Sequence, residues 1–231
     1  MRVAGVGPKL REDGRRVLEA AVFEWVRDTP GFDRSLLVGC HWYTRRYEKL
    51  LAPLEVSTIE IDPSRRRCQG ATYRHVSDSV EFAGRHFDAG SMDFVSLSGV
   101  IGWGLDDPEV ADRSVAALAR TLRPGGVLLI GVNNLPANRP FALDTRRALA
   151  VVKPWVFSPL TTAVHRCSGD MRKVFHFSAS RGEGVCGNAP TIRRGITAFP
   201  SDPRRVNAGR LRFLRVRRHR ILFGRRRRRC R

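Results

Sequence analysis

Short apolar runs alternate with amphipathic segments through the first 180 residues of the chain. The run at residues 127–132, which follows two glycines, has the length and the uniform hydrophobicity of a strand that is buried on both faces. Comparable runs, bounded by turn-forming residues, predict further strands. These lie at residues 35–38, 56–61, 72–76, 93–98 and 173–178.

Helical periodicity fills the segments between these strands. Residues 15–28 carry a broad apolar stripe that ends at a Pro-Gly pair. Asp107 followed by Pro108 marks a further helix start, because Asp caps exposed amides and Pro suits the first helical turn. That helix is expected to end at a turn formed by residues 123–126. Helical segments are also predicted at residues 44–51, 63–67 and 141–152.

Strands that alternate with helices in this way indicate βαβ units with right-handed crossovers. We therefore predict an α/β fold with a doubly wound, mostly parallel sheet of seven strands. The chain of 231 residues is long enough for one such domain and an extension.

The charge of the chain is unevenly distributed. The formal net charge is +20, with 38 Arg and four Lys. Residues 182–231 hold 16 Arg and two acids, a net charge of +14, whereas the first 181 residues carry only +6. Residues 1–181 therefore have the composition of an ordinary globular domain, and the high isoelectric point belongs to the arginine-rich tail, residues 182–231.

Three interpretations of the arginine-rich tail are open. It is an arm that binds nucleic acid or another anionic surface through phosphate groups, a disordered solvated extension, or a sequence translated from a shifted reading frame. The third hypothesis rests on the predominance of Arg over Lys, which indicates GC-rich codons. Such genes yield Arg, Gly and Pro when they are read out of frame. In each case a domain boundary is predicted near residue 181.

The cysteines are odd in number and widely spaced, at positions 40, 68, 167, 186 and 230. With no Cys-x-x-Cys pair, they argue against a disulfide framework and against a cysteine-rich zinc site, and no metal is expected. The first 13 residues lack the apolar segment of a signal peptide, and no run approaches the ~18 residues of a membrane span. The expected location is the cytoplasm.

The ends of the first two predicted strands are the most informative feature. Gly39 ends the first apolar run, and Glu60 lies 21 positions later, at the end of the second. Parallel strand ends meet at one edge of the sheet, where a tight turn presents backbone amides to a ligand and an acid accepts hydrogen bonds from ribose hydroxyls. This layout predicts a nucleoside-binding site.

Several segments in order resemble the class I S-adenosylmethionine-dependent methyltransferases, over roughly residues 15–181. The matching segments are the cofactor loop at 36–39, the ribose-binding acid at 60, the adenine segment at 75–79, the fourth-strand signature at 87–100, the turn into the fifth strand at 122–129 and the last, antiparallel strand at 174–177. The resemblance implies a Rossmann-like fold with strand order 3-2-1-4-5-7-6 and S-adenosylmethionine as the cofactor.

The resemblance also implies the cofactor-binding residues. The first turn would hold the methionine portion, the acids after the second strand the ribose, the segment after the third strand the adenine, and the end of the fourth strand the reacting end. The residues at these places are Gly39, Cys40, His41, Glu60, Asp62, Asp78, Ser79, Ser98 and Gly99.

The first turn departs from the Gly-x-Gly-x-Gly pattern of the family. Leu37 stands where an acid is usual, and His41 and Tyr43 replace the second and third glycines. Glycines there permit a positive φ and a close approach of the backbone. Their replacement is expected to crowd the methionine end of the cofactor.

Alternative roles remain open for three of the proposed cofactor-binding residues and for Trp103, which follows the fourth strand. Asp62 is either a ribose ligand or the cap of the helical turn that begins at Pro63. Asp78 is either an adenine ligand or a turn residue. His41 is either a general base or a packing residue over the loop, and Trp103 is either a wall of the acceptor site or part of the core. No catalytic residue is assigned.

The leading functional hypothesis is an S-adenosylmethionine-dependent methyltransferase that acts on a small-molecule acceptor. Methyl transfer requires alignment more than protein functional groups, so the lack of an obvious catalytic triad does not exclude it. The alternatives are a degenerate, non-catalytic member that only binds a ligand, and an arginine-rich nucleic-acid-binding protein whose contacts lie in the tail.

Overall fold

The computed structural model describes residues 13–69, 73–143 and 147–180. The arginine-rich tail, and with it the predicted boundary near residue 181, lies outside the described residues. Within them no helix is both long and apolar enough to pass through a bilayer.

One mixed sheet runs through the described part of the chain. Its strand order is β3-β2-β1-β4-β5-β8-β6, and β7 also pairs with β8. The five strands from β3 to β5 are parallel, and β8 is antiparallel to β5. The strands are β1 (Arg34–Val38), β2 (Glu55–Ile59), β3 (Arg74–Val76), β4 (Met92–Ser98), β5 (Leu122–Asn133), β6 (Val152–Pro154), β7 (Val164–Arg166) and β8 (Lys173–Ser180).

The predicted fold class and strand order are confirmed, with one difference in detail. The outer edge of β8 is shared by two short strands: β6 pairs with the end of β8 and β7 with its beginning. The outermost position therefore holds two strands of three residues each, and the sheet has eight strands in place of the seven expected.

The helices cover the two faces of the sheet. On one face, α1 (Asp13–Val17) continues through a π-helical segment (Leu18–Phe23) into α2 (Glu24–Asp28), beside a 3-10 turn (Thr44–Arg46) and α3 (Tyr47–Leu51). On the other face lies α4 (Pro108–Thr121). Shorter 3-10 helices cover Pro63–Cys68, Val80–Arg85, Pro136–Asn138 and Arg147–Val151.

Each face of the sheet buries its own hydrophobic cluster. Along β4, Phe94 packs with the helices α1 to α3, whereas Val95 and Leu97 pack with α4. Along β5, Leu129 belongs to the first cluster and Leu128 to the second. Successive side chains of a strand point to opposite faces, so these uniformly apolar strands are covered on both sides, as the sequence predicts.

The α4 helix begins where the sequence places its start. The Asp107 side chain accepts hydrogen bonds from the amides of Glu109 and Val110, at 2.8 and 2.9 Å, and Pro108 occupies the first turn. An N-cap of this kind satisfies amides that have no partner within the helix.

The predicted turn at residues 123–126 is wrong, because this segment forms the first part of β5. The hydroxyl of Ser180, at the end of β8, accepts a hydrogen bond from the Gly125 amide at 3.1 Å and donates one to the Arg123 carbonyl at 2.6 Å. The Arg123 side chain also binds Asp93. These contacts with distant residues hold the Pro-Gly-Gly segment within β5, where Gly125 has a φ of +79° and the register against β4 shifts.

The predicted helix at residues 141–152 is confirmed only in part of its described residues, and as a 3-10 helix. A 3-10 helix covers Arg147–Val151, and Val152 begins β6. Pairing of β6 with β8 outweighs the helical periodicity there. The second strand is shorter than predicted, since β2 ends at Ile59; Glu60 and Ile61 therefore lie in the connection that follows it.

Candidate functional site

The predicted site residues lie at the carboxyl ends of four neighbouring strands. Gly39 follows β1, Glu60 follows β2, Asp78 follows β3, and Ser98 ends β4. The chain runs outward in both directions from β1, which pairs with β2 on one side and β4 on the other. This is the switch point of a doubly wound sheet, where crevices for ligands form.

Gly39 requires the absence of a side chain. Its φ is +85°, and a Cβ there would lie 2.9 Å from Cγ2 of Val100. Its amide donates to the carbonyl of Ile59 at 2.9 Å, which holds the turn against the end of β2. A residue with a side chain would be strained in this conformation and would also displace Val100.

Glu60 connects the turn after β1 to the connection after β2. Its Oε2 accepts a hydrogen bond from the Cys40 amide at 2.7 Å, and its Oε1 accepts one from the Asp62 amide at 2.9 Å. The residue is 8% exposed. A carboxylate has about four acceptor positions, so two backbone bonds leave each oxygen able to accept another.

Aromatic side chains pack in the turn after β1, at the positions where the Gly-x-Gly-x-Gly pattern has its second and third glycines. The rings of His41 and Tyr43 stack with centroids 4.7 Å apart, and the guanidinium carbon of Arg15 lies 4.1 Å from the centroid of the Tyr43 ring. The hydroxyl of Thr44 accepts from the His41 amide at 3.0 Å and donates to its carbonyl at 2.9 Å. The backbone is therefore fixed without the glycines.

The Cys40 thiol and the His41 imidazole of this turn are both neutral near pH 7. Burial raises the pKa of the Cys40 thiol to about 11. Burial, together with the positive charges of Arg65 and Arg15, lowers the pKa of His41. The Nδ1 atom of His41 is buried and has no hydrogen-bond partner. Cys40 is thus a poor nucleophile, whereas His41 is in the form that accepts a proton.

Asp62 caps the short helix that begins at Pro63. Its Oδ1 accepts from the Ser64 amide at 2.9 Å, and its Oδ2 lies 3.4 Å from Nε of Arg65. The capping role considered from the sequence is therefore confirmed. Arg65 in turn donates to the Cys40 carbonyl at 3.2 Å, so this helix also supports the first turn.

Asp78 and Ser79 lie beside the end of β2 but have protein partners. The Asp78 amide donates to the Glu60 carbonyl at 3.2 Å. The Asp78 carboxylate contacts Nε2 of His86 at 2.6 Å and accepts from the Ser79 amide at 2.7 Å. The hydrogen bond with His86 is the main cause that lowers the pKa of Asp78. The Ser79 hydroxyl donates to Glu81 at 3.4 Å.

Ser98 and Gly99 form the part of the site at the end of β4. The Ser98 hydroxyl oxygen is buried without a hydrogen-bond partner. Gly99 has a φ of +77°, and its amide donates to the Gly131 carbonyl at 2.9 Å. An unpartnered buried hydroxyl at a strand end is a candidate ligand contact, since such atoms are usually satisfied.

A cavity of about 50 Å³ lies between these strand ends. It includes residues that sequence reasoning missed, Arg15 on α1 and Lys173 at the start of β8. Only the three-dimensional fold brings these two positions together. The lining residues are Arg15, Leu18, Leu37, Val38, Gly39, Tyr43, Thr44, Tyr47, Ser96, Ser98 and Lys173.

Three large apolar side chains near this edge are exposed to solvent. They are Ile61 at 69%, Trp42 at 60% and Trp103 at 59%. Of the two alternatives for Trp103, core packing is therefore wrong. Ile61 was also missed as a candidate, although its position directly after the acid at a strand end was a usable signal. Within the described ranges, no group of three or more His, Cys, Asp or Glu side chains is arranged to hold a metal ion.

No family model and no curated protein matches the sequence. Among solved structures, the N-methyltransferase NodS from Bradyrhizobium japonicum WM9 is similar, with 15% identity, a TM-score of 0.53, and coverage of 72% of this chain and 95% of that one. The same enzyme in complex with S-adenosyl-L-homocysteine gives 16% identity, a TM-score of 0.51, and coverage of 73% and 87%. These likenesses confirm the predicted Rossmann-like methyltransferase fold.

Proposed function

We propose that the chain is an S-adenosylmethionine-dependent methyltransferase. The observation that carries this proposal is the convergence of the turn after β1 and the Glu60 carboxylate at the switch point of the sheet, where the Cys40 amide and Glu60 are 2.7 Å apart. A turn and an acid that meet at this place suit one adenosine ligand.

The nucleoside end of the cofactor fits the residues present. Glu60 keeps acceptor capacity for ribose hydroxyls after its two backbone bonds. Ile61, which is 69% exposed, offers an apolar surface to one face of the adenine. Asp78 lies next to Glu60 along the edge and is the acceptor for the adenine amino group, while His86 orients its carboxylate.

The space proposed for the reacting end of the cofactor is narrower than the space for its nucleoside end. Gly39 allows the backbone to approach the ligand, and the Ser98 hydroxyl needs a partner. The stack of His41 and Tyr43 replaces the open loop of the family pattern and limits the room on one side. We infer that the methionine portion lies between this stack and the end of β4.

The bound cofactor supplies a methyl group on a positively charged sulfur, which is already a strong electrophile. The protein then has to align the acceptor and exclude water, and no metal or acid catalyst is required. His41 is neutral near pH 7, because its pKa is lowered by burial and by neighbouring arginines. It is therefore able to take a proton from an acceptor hydroxyl or amine, although alignment alone also suffices.

The proposed acceptor is a small molecule that contacts the segment after β4. In this segment Ile101 and Leu105 are buried and pair through a β-bridge, whereas Trp103 between them is 59% exposed. A rigid turn that holds an indole ring in solvent provides a flat apolar wall. Large exposed apolar side chains grouped at a site edge support ligand binding.

A second candidate function is ligand binding without catalysis. Both oxygens of Glu60 already have backbone partners, and aromatic side chains occupy two positions where the family has glycine. A protein that retained the fold and lost turnover would keep Glu60 as a structural contact only.

A transfer assay separates the two candidates. The full-length protein is incubated with methyl-labelled S-adenosylmethionine and with panels of hydroxyl-, amine- and thiol-bearing small molecules and of RNA. We expect label in at least one small molecule, and loss of that activity in Glu60→Gln. The matched control is Glu55→Gln, at the opposite end of β2, which should retain activity. Cofactor binding without transfer to any acceptor would favour the second candidate.

A further inference from the structure

The last residue of β5, Asn133, buries a polar group that has no partner. Its side chain is 5% exposed, and its Oδ1 accepts no hydrogen bond from the described residues. The neighbouring Asn134 differs, because its Oδ1 accepts a hydrogen bond from Arg139 at 3.1 Å. A buried amide oxygen without a partner costs stability, and such groups are rare in folded proteins. The oxygen of Asn133 is therefore a candidate ligand contact.

Asn133 lies on the same face of the sheet as Ser98. Val132 and Leu97 belong to the hydrophobic cluster on the α4 face, and successive side chains of a strand point to opposite faces. Asn133 and Ser98 therefore both point to the face that α1 to α3 cover. Ser98 pairs with Gly131, two positions before Asn133. The two polar side chains are thus neighbours at the ends of β4 and β5.

Gly131 allows the Ser98 hydroxyl to lie over β5. The hydroxyl oxygen is 2.5 Å from the position that a Cβ on Gly131 would occupy, and it is also buried without a partner. Residues two apart along a strand are separated by about 7 Å, and two hydrogen bonds to one bound atom span about 6 Å. A single amine or hydroxyl group of a ligand is therefore able to contact both Ser98 and Asn133.

The position of Asn133 suits the acceptor better than the cofactor. Ser98 lines the cavity beside Gly39, which is the proposed place of the reacting end, whereas Asn133 is not among the residues that line it. Asn133 pairs with Lys173 of β8, so it lies on the side of this cavity away from β1. The inference drawn from this placement rests on the proposed function, because it concerns the acceptor of the proposed methyl transfer.

An amide oxygen accepts hydrogen bonds and cannot donate them. It therefore suits a ligand group that carries hydrogen on nitrogen or oxygen, and a neutral amine or a hydroxyl has a lone pair on the same atom. When Oδ1 holds the hydrogen, that lone pair is directed elsewhere, toward the methyl group. In the transfer the lone pair forms the new bond to carbon, the sulfur keeps the electron pair of the broken bond, and the proton leaves to water.

A nearby positive charge favours the neutral form of an amine. Nζ of Lys173 lies 3.7 Å from the position that a Cβ on Gly99 would occupy, at the end of β4. A cation beside a bound amine lowers the pKa of that amine. An uncharged acceptor such as the Asn133 oxygen does not oppose this effect, whereas a carboxylate at the same place would stabilise the protonated, unreactive form.

We infer that Asn133 binds the reacting group of the methyl acceptor, by accepting a hydrogen bond from its N–H or O–H through Oδ1. The substrate class is then an amine with at least one N–H, or an alcohol or phenol. Tertiary amines lack the hydrogen, and the S–H of a thiol is a weak donor, so both are poor acceptors for this site.

Transfer kinetics test the inference in the full-length protein. The panel of small molecules described above is used, and each amine in it is accompanied by its N,N-dimethyl derivative. We expect label in an amine or an alcohol and none in the tertiary amines or the thiols. Asn133→Ala should lower kcat about tenfold or more, as for a lost hydrogen bond, and leave the affinity for S-adenosylhomocysteine within about twofold in calorimetry. Asn134→Ala, the matched control, should retain kcat.

Unfolding in urea separates ligand binding from structural support. Asn133→Leu keeps the number of side-chain atoms and removes a buried polar group without a partner, so the urea midpoint should stay unchanged or rise. In the comparison variant Thr121→Val the midpoint should fall, because the buried Thr121 hydroxyl donates to the Leu118 carbonyl at 2.7 Å. A fall of equal size in Asn133→Leu would assign Asn133 a structural role and overturn the inference.

The outcomes also separate this inference from the proposed function. If the wild type labels no acceptor, the proposed methyl transfer fails and the inference falls with it. If the wild type labels an amine or an alcohol and Asn133→Ala does so at the same rate, the inference alone is contradicted. Label confined to thiols or tertiary amines contradicts it in the same way.

Discussion

The Glu60 carboxylate accepts a buried hydrogen bond from the Cys40 amide, with 2.7 Å between nitrogen and oxygen. This contact joins the ends of β1 and β2 across 20 positions of sequence. It gives Glu60 a structural role in addition to the proposed contact with ribose. The shape of the first turn therefore depends on the same side chain that would bind the ligand.

Substitution of Glu60 should reduce stability as well as ligand affinity. In Glu60→Gln the side-chain amide offers one acceptor oxygen in place of two, so one of the two backbone amides loses its partner. We expect the free energy of unfolding to fall by about 1–3 kcal/mol and the affinity for S-adenosylhomocysteine to fall by about tenfold or more. Urea unfolding and calorimetry measure the two effects.

The control for this substitution lies at the other end of the same strand. Glu55 forms a partly exposed pair with Arg34, and such pairs contribute little to stability. Glu55→Gln should change the free energy of unfolding by less than about 1 kcal/mol and leave ligand affinity unchanged. Equal effects of the two substitutions would contradict the structural role of Glu60.

Gly39→Ala should be destabilising for two separable reasons. A positive φ costs about 1–2 kcal/mol in a residue with a Cβ, and the new methyl group would meet Val100. Gly31 has a φ of +77° and nothing within 4 Å of the added Cβ, so Gly31→Ala measures the conformational cost alone. In urea unfolding, we expect Gly39→Ala to lower the free energy of unfolding by more than Gly31→Ala does. The double variant Gly39→Ala/Val100→Ala should lower it by less than the sum of the two single variants. Strict additivity would argue against the Val100 contact.

The Asp78 and His86 pair should contribute to stability in mildly acidic and neutral solution. The pKa of Asp78 is lowered in the folded protein, chiefly by its hydrogen bond with His86. A carboxylate whose pKa is lowered in the folded protein stabilises the fold at pH values above its pKa in the unfolded chain, about 3.9. This contribution is lost as the pH falls through the pKa of the folded state. Between pH 6 and pH 3, Asp78→Asn and His86→Ala should therefore lose less stability than the wild type in urea unfolding. Equal losses of stability between pH 6 and pH 3 in all three proteins would contradict a contribution from the Asp78 and His86 pair.

The domain boundary predicted near residue 181 can be tested by truncation. A chain that ends at Arg181 retains all of β8, which ends at Ser180. We predict that it unfolds cooperatively and binds S-adenosylhomocysteine with the affinity of the full-length protein. Gel-shift titration with RNA and DNA over a range of salt concentrations should show affinity only in the full-length protein, if the tail is an arm that binds phosphates. A shorter chain that does not fold would contradict the boundary.

The hypothesis of a shifted reading frame has a separate test. The coding DNA is translated in its other two frames beyond the codon of Phe177. The hypothesis predicts that one of them gives a short ending without the excess of Arg, and it is abandoned if neither does.

The features that the sequence predicts well are those set by local chemistry. The Asp107 cap and the following proline define the start of α4, and the apolar run at 127–132 gives the center of β5. The positions of Gly39 and Glu60 place both at the same sheet edge, because the ends of parallel strands meet there. Periodicity and turn chemistry are sufficient for each of these.

The features that the sequence does not predict depend on partners far along the chain. The segment at 123–126 is part of β5, where the distant Ser180 binds its backbone. Val152 joins a strand because β8 offers a free edge to it. Arg15 and Lys173 are 158 positions apart in the sequence and line one cavity. No local pattern reports such contacts.

The most direct test of the proposed function is calorimetric titration of the full-length protein with S-adenosylmethionine and S-adenosylhomocysteine. We predict dissociation constants in the micromolar range, which correspond to a binding free energy of about −8 kcal/mol. Binding should be lost in Glu60→Ala and unchanged in Glu55→Gln. Absence of heat for either ligand at millimolar concentration, with a cooperatively folded protein, would contradict the assignment of this sheet edge as an adenosine site.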